Sequence, residues 1–216
     1  MKILIFGATG AAGGSVLRAC LEAAGVEEVR AITRRPLRAV HPKLRVFIHD
    51  DYLRYDGIEA AFAGVDACLF CSGVSSTQVS EEAEYRKITH DFALAAAHVL
   101  QAQSPKAAFH FISGKGTQAD SRFMWSRVKA ETEHDLMALV GATCWRPAFI
   151  DGESSDSWPW LFKVLQPLLR LLKPFPGLYV RGLDLGRAML QATVENMRER
   201  VIENAAIRDI ASRYGN

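Results

Sequence analysis

Apolar residues recur along this chain in two alternating patterns. Short, nearly unbroken apolar runs at Lys2–Phe6, 29–33, 44–49, 67–71, 108–113 and 142–145 have the length and β-branched content of strands buried on both faces. Between them, residues 15–24, 58–62, 82–101 and 123–139 place apolar side chains three and four apart, the helical period. This alternation predicts βαβ units: a parallel α/β sheet covered by helices on both faces, doubly wound because the crossovers are right-handed. Beyond Gly152 the pattern changes to Ser154-Ser-Asp-Ser-Trp-Pro-Trp160 and an apolar, basic stretch over 161–173. Residues 151–182 are expected to form a lid or substrate-side excursion within a single domain spanning 1–216. A helix over 184–196, a short edge strand at 201–202 and a terminal helix over 205–214 complete the prediction.

The first strand runs directly into Gly7-Ala-Thr-Gly10-Ala-Ala-Gly13. Three glycines at this spacing between a strand and a helix allow a tight turn, close approach to a pyrophosphate and close helix packing. The helix N-terminus adds unpaired N–H groups and a positive dipole end. Gly7, Thr9, Gly10, Ala11, Ala12 and Gly13 are therefore the predicted dinucleotide cradle of a Rossmann fold. Composition removes other classes: 49% hydrophobic and 23% charged residues fit a globular chain, and a net charge of +2 without a basic run gives no ground for nucleic acid. No segment reads as a membrane span. The first apolar run is far shorter than a secretory leader's, so the expected setting is the cytoplasm. Cys68 and Cys71, three apart on one strand, should point to opposite faces and act as buried thiols rather than a redox or metal pair.

In such a sheet the ligand lies at the carboxyl ends of the strands, which nominates the residues following each one. After the second strand stand Thr33, Arg34 and Arg35, where an acid would hold the ribose hydroxyls of NAD; two guanidiniums instead suit a 2′-phosphate, so the expected cofactor is NADP, with NAD less favoured. Asp50 and Asp51 follow the third strand, either to meet adenine or to cap a helix. Ser72, Gly73 and Val74 follow the fourth, passing the ribose and pyrophosphate or forming a plain turn. Ser113 and Gly114 follow the fifth and Arg146, Pro147 and Ala148 the sixth, flanking the place of a nicotinamide.

With these residues and Lys129 on the next helix, the chain resembles the extended and atypical short-chain dehydrogenase/reductases over nearly its whole length. It is most similar to small bacterial epimerase- or reductase-like members, on segment 121–131 and the Asp184-Leu-Gly-Arg-Ala-Met189 helix. The resemblance implies roles for Ser113 at the substrate or nicotinamide and for Lys129 at the ribose. It also implies a tyrosine acid four residues before the lysine; here that position is Trp125, whose indole N–H does not exchange a proton near neutral pH. General acid–base catalysis contributes typically about 10²- to 10⁴-fold, so ordinary carbonyl reduction lacks a major contributor.

Two functions follow. One is an NADPH-dependent oxidoreductase acting on an apolar or conjugated small molecule such as a quinone or flavin; the other is a non-catalytic NADP(H)-sensing or protein-interaction regulator. Tyr85 and Tyr179 are the other tyrosines weighed as acids. The histidines lack metal-ligand spacing, and no metal is expected. The stretch 158–172 is open to three readings: an amphipathic lid over an apolar ligand, a partner or homodimer interface, and a membrane-surface helix.

Overall fold

A computed structural model describes residues 1–152 and 169–215. Among them, β1 (Lys2–Phe6), β2 (Glu28–Thr33), β3 (Leu44–Ile48), β4 (Ala67–Phe70), β5 (Ala108–Ile112), β6 (Thr143–Arg146) and β9 (Arg200–Glu203) form one parallel sheet in the order β3-β2-β1-β4-β5-β6-β9. The first six are the strands expected from the apolar runs, each end falling within one residue. The helices are α1 (Ala11–Glu22), α2 (Glu82–Arg86), α3 (Phe92–Gln103), α4 (Met124–Val140), α5 (Gly182–Val194) and α6 (Asn204–Ser212). A π-helical turn, Lys87–Asp91, joins α2 to α3, and the segment expected as a helix over 58–62 is a 3₁₀ turn, Glu59–Ala61.

The core has two halves because successive strand residues face opposite ways. Ile3, Ile5 and Leu69 pack with Val16, Leu185, Met189 and Ile207 of α1, α5 and α6. Leu4, Phe6 and Phe70 pack on the other face with Ala93, Ala97 and Leu136 of α3 and α4, beside Tyr52, Tyr55 and Phe62. Cys68 lies in this second half whereas Cys71 packs against the first, so the two thiols are on opposite sides of the sheet. Small residues set the spacing of α1 and α5: a Cβ on Gly186 would sit 2.5 Å from that of Ala19, and one on Gly182 would sit 2.4 Å from Ser15.

A second sheet was not legible in the pattern. β7 (Phe149–Asp151) and β8 (Tyr179–Arg181) pair in parallel, with Ile150 opposite Val180. They bracket the expected excursion at 151–182. Its inner part, residues 153–168, and with it most of the 158–172 stretch, lies outside the described residues; its ends are held by Asp151, which accepts from Tyr179 Oη at 2.6 Å and pairs with Arg170.

Candidate functional site

The strand order reverses between β1 and β4, and this switch point opens a crevice at the carboxyl ends of the strands. Gly7 begins it with φ +73°, a conformation that favours glycine, and a Cβ there would lie 2.5 Å from the Cys71 carbonyl oxygen. The loop is thus pressed against the end of β4. Gly10 N–H donates to Gly7 O at 2.9 Å, and a Cβ on Gly13 would come within 2.1 Å of that same oxygen. α1 starts at Ala11 with no side-chain cap and no acid in its first turn. The first-turn N–H groups, those of Ala11, Ala12 and Gly13 among them, have no acceptor within the helix, so the turn offers donors and a positive dipole end to an anion. Thr9 is exposed at the loop tip. A turn packed this closely by Gly7 and Gly13, ending at an uncapped helix N-terminus with free N–H donors, fits a dinucleotide pyrophosphate. Ser72, whose N lies 2.7 Å from the Gly7 Cβ position, continues with exposed Gly73 and half-buried Val74 as the facing wall. Gly152, at the end of β7, reaches the same turn: its Cβ would be 2.5 Å from Ala11 O.

At the end of β2, buried Thr33 donates from Oγ1 to Arg35 O at 2.7 Å, turning the chain so that Arg34 and Arg35 are both exposed. Burial raises the pKa of the Tyr52 hydroxyl, and the Arg34 charge partly offsets it, placing Arg34 beside the aromatic floor under this corner. The two acids after β3 differ. Asp51 accepts from Arg54 Nε at 3.0 Å and Leu53 N at 3.1 Å, contacts that hold its carboxyl below the usual range; it is a turn cap, while Asp50 is exposed.

The ends of β5 and β6 are zipped together. Ser113 N donates to Trp145 O at 2.7 Å and Lys115 N to Pro147 O at 2.9 Å, while Ala148 N donates to Asn204 Oδ1 at 2.7 Å. Ser113 is buried, and its Oγ lies 3.1 Å from Thr117 Oγ1, which itself donates to Gly114 O at 2.8 Å; the Ser113 hydrogen is therefore turned to Thr117. Ser126 Oγ, at the start of α4, donates to Gly116 O at 2.8 Å and accepts from Gln118 N at 2.8 Å, fastening this loop to the helix. Trp125 lies over Gly116, whose Cβ position is 3.6 Å from the indole, and stacks with exposed Phe123 at 22°. One turn along, Lys129 Nζ donates to Ser113 O at 2.5 Å and lies 3.4 Å from the Gly114 Cβ position. Burial pushes its ammonium down to about 8, opposed by the charge of Glu133.

Three expected participants stand elsewhere. Arg146 points away from the crevice, bidentate to buried Glu133 at 2.6 and 2.9 Å and reaching Glu203 at 3.2 Å. Tyr179 is buried against Asp151, and burial with that carboxylate raises its hydroxyl to about 12. Tyr85 is buried too. Sequence reasoning missed Thr117, whose signal was a hydroxyl inside the Gly114–Thr117 turn, and Asn204, which gave none. It also missed a grouping of His90, Glu131 and Asp135, whose ligand-type atoms lie within 4.8 Å. There His90 contacts Asp135 at 2.9 Å and Asp91 at 2.7 Å, and Arg86 pairs with Glu131, an ionic network that joins the π turn to α4.

Residues 3–131 match the model of the NAD dependent epimerase/dehydratase family. A curated relative from Aspergillus clavatus, "Protein fmp52, mitochondrial", is 29% identical over 196 residues, covering 87% of this chain and 80% of its own. Among solved structures, an oxidoreductase of the short-chain dehydrogenase/reductase family from Burkholderia thailandensis superposes with a TM-score of 0.70 at 18% identity, over 93% of this chain and 89% of that one. The Bordetella bronchiseptica enzyme WbmF in complex with NAD+ gives 0.69 at 12% identity, over 100% and 78%. Further fungal relatives are also named mitochondrial, which overturns the cytoplasmic expectation: the shortness of the first apolar run bears on secretion and does not separate cytosol from mitochondrion. No helix among the described residues is long and apolar enough to cross a membrane.

Proposed function

We propose, for a chain that belongs to the NAD-dependent epimerase/dehydratase family, that it is an NADPH-dependent oxidoreductase reducing an apolar or conjugated small molecule. The turn formed by Gly7, Gly10 and Gly13 is the observation that carries the reading, since Gly7 and Gly13 let its backbone pack where no side chain fits, and it ends at the uncapped N-terminus of α1, whose free N–H groups suit a pyrophosphate. Arg34 and Arg35, both exposed beside the crevice, support the 2′-phosphate of NADP; a carboxylate acceptor for ribose hydroxyls does not stand in their place. Asp50, Ser72, Gly73 and Val74 would meet the adenosine half, and Ser113, Lys129, Pro147 and Ala148 the nicotinamide half. A bound reduced nicotinamide supplies hydride. The chain's residues bind and orient: Lys129 fixes a positive charge at the end of β5, and the Trp125 indole gives the substrate side an aromatic wall, suited to a planar acceptor.

Hydride transfer depends mainly on holding donor and acceptor in register, so the absence of a tyrosine at 125 does not remove the reaction. A second reading, a cofactor-binding regulator without turnover, draws on Trp125 alone. The two separate in one assay: the purified chain oxidises NADPH with a member of a panel of quinones, flavins and aldehydes on the first reading. Tight NADPH binding with no turnover on the whole panel overturns it in favour of the second.

A further inference from the structure

We propose that the Lys129 ammonium is itself the proton donor of this site, in place of the phenol that Trp125 excludes. The proposal rests on the reductase reading above and deepens it. It begins from what stands at the ends of β5 and β6. The Ser113 hydrogen is turned to Thr117, and the Thr117 hydrogen to Gly114 O. Tyr179 is buried on Asp151, and the other ammonium of the loop, Lys115, is exposed and donates to Gly177 O at 2.7 Å. Lys129 differs on each point. It uses one N–H on Ser113 O, leaving two, and its nitrogen lies 3.4 Å from the Gly114 Cβ position, on a side where no side chain stands between it and that loop.

Its electrostatic setting suits the role. The ammonium faces the Ser113 carbonyl from β5 and, along its own helix, the Glu133 carboxylate. Glu133 is pinned by Arg146 from β6, which also holds Glu203 of β9, so its charge is largely neutralised and does little to keep the lysine protonated. Burial prevails, bringing the group to about 8, a poise from which an ammonium gives up a proton near neutral pH. In the step, a bound reduced nicotinamide would supply a hydride, with its two electrons, to the carbonyl carbon of the acceptor, and the π electrons of the C=O bond would move to oxygen. That oxygen takes a proton as an N–H bond of Lys129 breaks, with the electron pair remaining on Nζ. Solvent then reprotonates the amine.

The test pairs turnover with a measurement that needs no cofactor. Lys129→Arg keeps the positive charge but not an acid of this strength. It should leave NADPH affinity within a few-fold of wild type and lower kcat by roughly 10²- to 10⁴-fold. Wild-type kcat should fall as pH rises through about 8, and the variant should lose that fall. In the cofactor-free chain, the Cε resonance of one lysine should titrate near that pH and be missing from the variant. An arginine variant that binds NADPH and keeps wild-type kcat and pH profile overturns the donor and leaves the reductase standing. A Lys129 that titrates with ordinary surface lysines also overturns it. A wild type that binds NADPH without oxidising it on any acceptor overturns the reductase reading and the donor together.

Discussion

His110 occupies the middle of β5 with no exposed surface and with both ring nitrogens engaged. Trp145 donates from Nε1 to Nδ1 at 3.2 Å, so Nδ1 carries no proton; Nε2 meets Thr193 Oγ1 at 3.0 Å, whose own hydrogen goes to Met189 O. The ring is therefore the neutral Nε2–H tautomer. Burial, aided by the charge of Arg198, pushes it down from 6.5 to about 3. Between those values the unfolded chain binds a proton that the folded chain refuses. Stability should thus rise with pH across that window, be complete above it, and be lost as pH falls towards the lower value. One such group contributes a slope of about 1.4 kcal/mol per pH unit. Urea unfolding of wild type and His110→Gln at several acidic pH values checks it: the variant should show the shallower dependence, and equal slopes would sink the assignment.

At the scale of elements, the ends of β6 and β9 are tied to α4 by one ionic group. Arg146 is bidentate to Glu133, whose side chain is 3% exposed, and reaches Glu203 across the strand pair. Removing one partner of a buried pair leaves the other charge without compensation, at a cost of about 3–5 kcal/mol, whereas replacing both by apolar groups is often near neutral. Arg146→Ala should therefore destabilise the chain by about that amount, and Arg146→Met with Glu133→Leu should recover most of it. Equal losses for the single and double variants in denaturant unfolding would contradict the tie. Arg146 also shows why position after a strand is an incomplete guide. It follows the sixth apolar run as a crevice residue would, but its direction is set by an acid thirteen residues earlier on a helix. The strands β1 to β6 were legible because burial on both faces leaves unbroken apolar runs. β7 and β8 were not: each has three residues, follows no period, and finds its partner far along the chain.

At the scale of the molecule, the glycine turn after β1, the arginine corner after β2 and the lysine beside the end of β5 all stand at the carboxyl end of one sheet whose order reverses at β1 and β4. The tight turn was readable from glycine spacing, since Gly7 and Gly13 each answer a contact that a Cβ would break, whereas a Cβ on Gly10 would stand 3.4 Å from Gly7 O. The hydroxyl relay through Thr117 and the burial of Lys129 were not, because both depend on how the loop after β5 docks against α4. The reading of the whole rests on a bound dinucleotide with a 2′-phosphate. Calorimetric titration of the full chain and of Arg34→Asp with NADPH and NADH tests that directly. Wild type should bind NADPH more tightly than NADH, and the substitution should weaken NADPH selectively by roughly 10- to 150-fold, the worth of one charge-assisted bond. Absence of binding by either dinucleotide would contradict it.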